Sequence, residues 1–346
     1  MAIEPGLDPT QAERIKTAVL EQLEADYDPP GWLTNGHAQT IFPRFFRPTP
    51  DVSFRTEQWD TPDDDFLNLH FLDGDPAKPT VLLLHGLEGC SRSHYILGIS
   101  HALHREGWNI AVMEFRSCGG TMNRAKRLYH AGETTDLAFV VEALAKRNPN
   151  LCLYAVGFSL GGNVLAKWLG ECGDAAPSCL RGAAVVSPPF DMAASGAHLD
   201  DRIGRMYTKH FLRMLIPKVL AKEVQYPGTF DIDKVRSSRT FWDFDTHATA
   251  VLHGFENADQ YWARSSCGQY LPEVRRPLIV VASETDPLNP ASTLPRDAAD
   301  ESPWLIPKFV RHGGHAAFVH GPTPWEKGSW AEDQIVRGFL ALEDME

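Results

Sequence analysis

LCLYAVGFSLGGNVLAKWL, residues 151–169, decides how the rest of the chain is read. Leu151, Leu153, Tyr154, Ala155 and Val156 form an apolar, β-favouring run, and residues 163–169 are mostly helix formers, so the stretch reads strand, turn, helix. Between the two lies Gly157-Phe158-Ser159-Leu160-Gly161. A serine projects from the tip of such a turn only in a strained backbone conformation. Side chains at the flanking glycines would collide with the adjoining strand and helix. The departing helix aims its free amides and the positive end of its dipole at the place where an oxyanion would form beside Ser159. The pentapeptide alone also fits an ordinary glycine-rich turn; its place between a buried strand and a helix gives it meaning.

Outward from this elbow, apolar runs at 80–84, 109–113, 182–186, 277–281 and 307–311 read as buried strands, with helical patterns at 94–105, 132–147 and 329–342. This alternation predicts an α/β fold, a mostly parallel sheet with helices on both faces. Residues 52–59 and 66–72 alternate like antiparallel strands around Thr61-Pro62-Asp63-Asp64. Ile15, Val19 and Leu23 mark an amphipathic helix over 9–26, ended by Pro29 and Pro30. The segment PPGWLTNGHAQTIFPRFFRP, 29–48, is too rich in proline, glycine and aromatics for a regular helix and is expected to wrap over the body. Its Asn35 and His37 have no partner at a fixed spacing, so a hydrogen-bonded structural histidine is preferred to a site residue.

The rhythm breaks over 192–271, where helix-like pieces (209–226, 246–256) replace strands. This predicts an inserted helical cap on a core formed by 1–191 and 272–346. Within it HFLRMLIPKVLAKEV, 210–224, is basic and amphipathic, interrupted by Pro217. A lid helix with its apolar face on the cleft is preferred; docking on a lipid surface through Lys209, Arg213 and Lys222 is the rival reading.

Ser159, Asp286 and His315 each follow a buried strand, which places all three at the carboxyl edge of a parallel sheet, where ligands sit. A serine hydroxyl needs an imidazole to take its proton, and the imidazole needs a carboxylate to hold its tautomer and stabilise its cation. The order Ser, Asp, His is that of the α/β-hydrolase triad. Asp191 is the alternative acid; His312 and His320 are the alternative bases. The loop His85-Gly86-Leu87-Glu88-Gly89 is expected to turn the amide of Leu87 toward that of Leu160 as an oxyanion hole, with Glu88 pointing away or paired.

Composition is that of a globular protein, 43% hydrophobic and 23% charged, and a formal net charge of -12 argues against nucleic acid as a partner. No run of apolar residues is long enough to span a bilayer, and the N-terminus lacks the order of a signal peptide, so a cytoplasmic protein is expected. Cys90, Cys118, Cys152, Cys172, Cys179 and Cys267 have no CxxC spacing and read as free thiols, with no histidine spacing to make Cys90 or Cys118 a nucleophile or metal ligand.

Several stretches together resemble the YheT-type α/β-hydrolases over about residues 29–342: WLTNGHAQTIFP, HGLEG, FRSCGGTMNR followed by YHAGETTD, GFSLGGN and GGHAAF. The first and third are specific to that branch. The resemblance implies a serine esterase or lipase-like enzyme with a helical cap and neither metal nor cofactor, its triad at Ser159, Asp286 and His315. It usually has glycine where this chain has Ser117. The expected substrates are short- to medium-chain acyl esters or monoacyl lipids; acyl transfer to another alcohol and a non-catalytic binding pocket are the rival functions.

Overall fold

The computed structural model describes residues 8–321, 323 and 328–345. Among these, β1 (Arg55–Asp60), β2 (Phe66–Leu72), β3 (Thr80–Leu84), β4 (Asn109–Glu114), β5 (Leu153–Phe158), β6 (Leu180–Val186), β7 (Leu278–Ser283) and β8 (Leu305–Val310) form one sheet. Their order is β1-β2-β4-β3-β5-β6-β7-β8. β1, β2 and β4 pair antiparallel and every other pairing is parallel.

The central strands are apolar throughout because both faces are covered. Val81, Leu83, Tyr154 and Val156 pack into a cluster with Pro9–Gln22, His94–Arg105 and Trp330–Glu343. Leu82, Leu84, Leu153 and Ala155, half a pleat away, face Thr135–Arg147 and the elbow helix Leu160–Cys172. The chain runs from β3 outward to β4, then crosses back to β5 on the other side of β3. Such a reversal opens a crevice at the strand ends, and the loops leaving β3 and β5 are those of Leu87 and Ser159.

Between β6 and β7 the described residues hold helices and no strand: Met192–His198, Gly204–Gln225, Ile232–Ser237, Ala258–Ser265 and shorter turns. Leu212, Val219, Phe230, Val235, Phe244 and Ala248 form a small apolar cluster there, joined by Leu128.

Three expectations are corrected. Residues 29–48 do contain a helix, Gly36–Phe46, with Pro43 inside it. Asn35 caps it by accepting from the amides of His37 and Ala38, and Gly36, Gln39 and Pro43 form one buried face, so burial and capping override the poor propensity. Pro217 does not interrupt its helix, which runs unbroken from Gly204 to Gln225. The first helix stops at Gln22, ahead of the prolines expected to end it. Among the described residues no helix is long and apolar enough to cross a membrane.

Candidate active site

Ser159 stands at φ 52°, ψ -119°, the strained geometry that the elbow requires. Its amide donates to Val186 O (2.8 Å), which ties the turn to β6. A Cβ on Gly157 would lie 2.4 Å from Gly161 O, and one on Gly161 2.4 Å from His85 O, so neither position accepts a side chain.

The three side chains expected to meet are together. His315 Nε2 lies 2.7 Å from Ser159 Oγ, and His315 Nδ1 lies 2.9 Å from Asp286 Oδ2 and 3.1 Å from Oδ1. The carboxylate also accepts from the amides of Leu288 (2.8 Å) and Asn289 (3.2 Å), which fixes its orientation. With Nδ1–H donating to Asp286, Nε2 is left to accept from the serine hydroxyl. Two of the three alternatives are otherwise engaged: Asp191 caps Met192–His198 through the Ala194 amide, and His320 pairs with Asp333 at 3.3 Å. His37 hydrogen-bonds Tyr207 Oη (3.0 Å).

The loop after β3 is pinned from three sides. His85 Nδ1–H donates to Gly86 O (2.8 Å) while its Nε2 accepts from Phe115 N–H (3.1 Å); burial pushes this imidazole down to about 4, so it stays neutral. Gly86 N–H donates to Tyr95 Oη (3.0 Å). The Tyr129 hydroxyl accepts from Glu88 N–H (2.9 Å) and donates to Glu88 Oε1 (2.7 Å). Glu88 is paired: Lys218, from the helix Gly204–Gln225, lies 2.7 Å from Oε1. Leu160 is the first residue of the elbow helix, so its amide has no carbonyl one turn back.

Two adjoining cavities share Leu87, Leu160, Met192, Phe241 and Asp245. One opens on Ser159 and His315 between Leu199, Phe211 and Trp262; the other runs beneath Leu128, Leu215, Val219 and Phe244. Their walls are predominantly apolar. Asp245 accepts from Trp262 Nε1 (2.7 Å) and Thr249 Oγ1 (2.7 Å), and burial raises its carboxyl to about 6.

Sequence reasoning missed the residues that hold the His315 loop. His315 N–H donates to Thr40 Oγ1 (2.8 Å), Ala316 N–H to Ser187 Oγ (3.3 Å), and Thr285 Oγ1 both donates to Gly313 O (2.9 Å) and accepts from its amide (3.1 Å). The available signal was the WLTNGHAQTIFP stretch, which holds Thr40. In the FRSCGGTMNR stretch Arg116 is buried and pairs with Asp136 (2.7 Å), Asp65 (2.5 Å) and Asp63 (3.0 Å). Ser117 sits at φ 62°, which explains glycine at this point in the related pattern, and its hydroxyl accepts from Asn123 N–H (3.1 Å). Lys222, read from sequence as a surface cation, is buried: its ammonium donates to Asn123 O (2.7 Å) and Ala125 O (2.6 Å), and burial lowers it to about 8. Burial pushes the Cys118 thiol up to about 12, so it is no nucleophile.

A family model described as the alpha/beta hydrolase fold matches residues 79–322. The Escherichia coli (strain K12) protein named "Putative esterase YheT" is 32% identical over 90% of this chain and 92% of its own. Human "Phospholipase ABHD3" is 27% identical over 91% and 78%, and the "Monoacylglycerol lipase" of Saccharomyces cerevisiae 30% over 75% and 58%. Among solved structures, Est1E from Butyrivibrio proteoclasticus with ferulic acid bound has a TM-score of 0.54 at 13% identity, covering 85% of this chain and 99% of that one, a likeness of fold. Fold and matched model define the class as an α/β hydrolase. Within that class the chain belongs to the YheT-type family and is a carboxylic ester hydrolase.

Proposed function

We propose that Ser159, His315 and Asp286 hydrolyse the ester through an acyl-enzyme intermediate. The observation that carries this reading is the unbroken hydrogen-bonded line from Ser159 Oγ through the imidazole to Asp286. Ser159 Oγ attacks the acyl carbonyl as its proton passes to His315 Nε2, and Asp286 stabilises the imidazolium at Nδ1. The carbonyl oxygen becomes an oxyanion held by the amides of Leu87 and Leu160, assisted by the dipole of the elbow helix. Collapse expels the alcohol, protonated by Nε2, and a water activated by the same nitrogen releases the acid.

The helices over 192–271 act as a cap that selects the substrate, with the apolar cavities taking a short- to medium-length acyl chain or a monoacyl lipid. The lipase and phospholipase names of two relatives support a lipid-like substrate. The test is a panel of acyl esters of graded chain length, with a fluorophosphonate probe, on wild type and Ser159→Ala. A rate optimum set by chain length and labelling confined to the wild type are expected. Labelling of the variant, or hydrolysis that survives it, overturns the assignment.

A further inference from the structure

We propose that the outer face of the helix Gly36–Phe46, together with the exposed face of Gly204–Gln225, docks the protein on a membrane surface bearing anionic headgroups. Phe45, Phe46 and Met206 are 67%, 62% and 70% exposed, and Ile41 and Ile203 are exposed with them. The aromatics form a ladder on the surface: Trp32 on Phe42 (5.1 Å between centroids), Phe42 on Phe46 (5.3 Å), Phe46 beside Phe45 (6.4 Å). Exposed apolar side chains gathered in this way mark an interaction surface.

Charge selects the partner. Residues 29–50 and 202–222 contain no Asp or Glu, in a chain whose formal net charge is -12. Arg44, Arg205, Lys209 and Arg213 are exposed there. The two segments adjoin: the His37 and Tyr207 rings stack at 5.8 Å, and burial followed by the nearby Arg44 and Arg213 cations lowers the His210 pKa. Asp200, just ahead of the second segment, faces Arg205; the exposed aromatics beside Arg44, Lys209 and Arg213 fit an interface where rings sit at headgroup depth and lysine and arginine meet lipid phosphates. One turn beyond Tyr207, Phe211 lines the cavity of Ser159, so docking brings the opening of that cavity to the lipid.

Docking requires no chemistry and is read on Ser159→Ala as well as wild type, by flotation with vesicles of phosphatidylcholine alone or mixed with phosphatidylglycerol. Both proteins are expected to float only with the anionic vesicles and to be released by high salt. Phe45→Ser/Phe46→Ser lowers partitioning at least about tenfold. Arg44→Glu/Lys209→Glu/Arg213→Glu lowers it about a hundredfold, at roughly fivefold for each cation lost. Both variants keep the wild-type rate on a short water-soluble ester, which shows that they are folded. Wild type that stays in solution with both vesicle types, or an aromatic variant that floats like wild type, overturns the proposal. Binding to polyglutamate but not to vesicles replaces the lipid with an acidic polypeptide and also overturns it. Ester hydrolysis that survives Ser159→Ala, with flotation intact, counts against the proposed triad alone.

Discussion

The rim that carries Ser159, Asp286 and His315 and the helical segment above it are held by opposite means. On the rim the backbone does the positioning: Glu88, Ser117, Ser159 and Ser187, in the loops after β3, β4, β5 and β6, all take positive φ, sustained by a sheet buried on both faces. Above it, the helix Gly204–Gln225 is fastened to the core by two lysines, Lys218 on Glu88 and Lys222 on the Asn123 and Ala125 carbonyls. Rigid backbone fixes the rim, whereas buried charge fastens the helix Gly204–Gln225 to it. Removing a rim residue should therefore strike the rate, and removing an anchor should strike stability first.

The largest expected effect is from Ser159→Ala, which should lower kcat by about 10⁴ to 10⁶, with His315→Ala adding little on top because the two act as a unit. Asp286→Asn keeps the shape but turns the imidazole to the wrong tautomer, for a loss of about 10⁴ in kcat at unchanged thermal stability. If Asp286→Asn were instead nearly silent, the division between rim and roof would fail at its most specific point.

Lys218→Met tests the anchor. Glu88, 4% exposed in its side chain, would be left a buried carboxylate without its cation, and unfolding in urea should show a loss of about 3 kcal/mol. Glu88→Gln/Lys218→Met should recover most of that loss. Failure of the double variant to recover it would mean that Lys218 acts by packing and not by charge.

Acid should loosen the molecule earlier than its carboxylates alone would. Burial lowers His85 from 6.5 to about 4 and His94, His130 and His253 from 6.5 to about 3. Between those values the unfolded chain binds more protons than the folded one, so stability falls as pH drops from 6.5 toward 4. Asp245, raised from 3.8 to about 6, has the opposite sign: the stability it contributes is present below 3.8 and lost as pH rises through 6. Five histidines are lowered, His210 with these four, and Asp200, Glu332 and Asp333 are raised with Asp245; the larger histidine shifts outweigh the carboxyls and give a Tm that drops from pH 7 to pH 5, which calorimetry would record.

The smallest effect is expected from Thr40→Val, which removes the acceptor for the His315 amide. It should cost about 1 kcal/mol of stability and about fivefold to tenfold in kcat, with KM unchanged. Thr40→Ser should restore the rate, an outcome that a merely structural packing role would not produce.

The strands and the meeting of Ser159, Asp286 and His315 were legible in sequence, because each rests on a local rule: apolar runs ending in loops, and a serine between glycines; the order of the strands in the sheet was not. The helix Gly36–Phe46 was not, since its proline and aromatics argue against helix and only the burial of Gly36, Gln39 and Pro43 outweighs them. Lys222 was misread because an amphipathic pattern shows which face is polar but not which polar group finds carbonyls to bond. The support of His315 by Thr40 is a contact between distant segments, and no periodicity reports such a contact.

That last contact closes a circuit of 275 residues. Domains fold as units while the ribosome is still extending the chain, and His315 is synthesised 275 residues after Thr40 and 156 residues after Ser159. On the proposed triad, Ser159 therefore stays inert in a nascent chain until residue 315 has left the ribosome and reached back to Thr40.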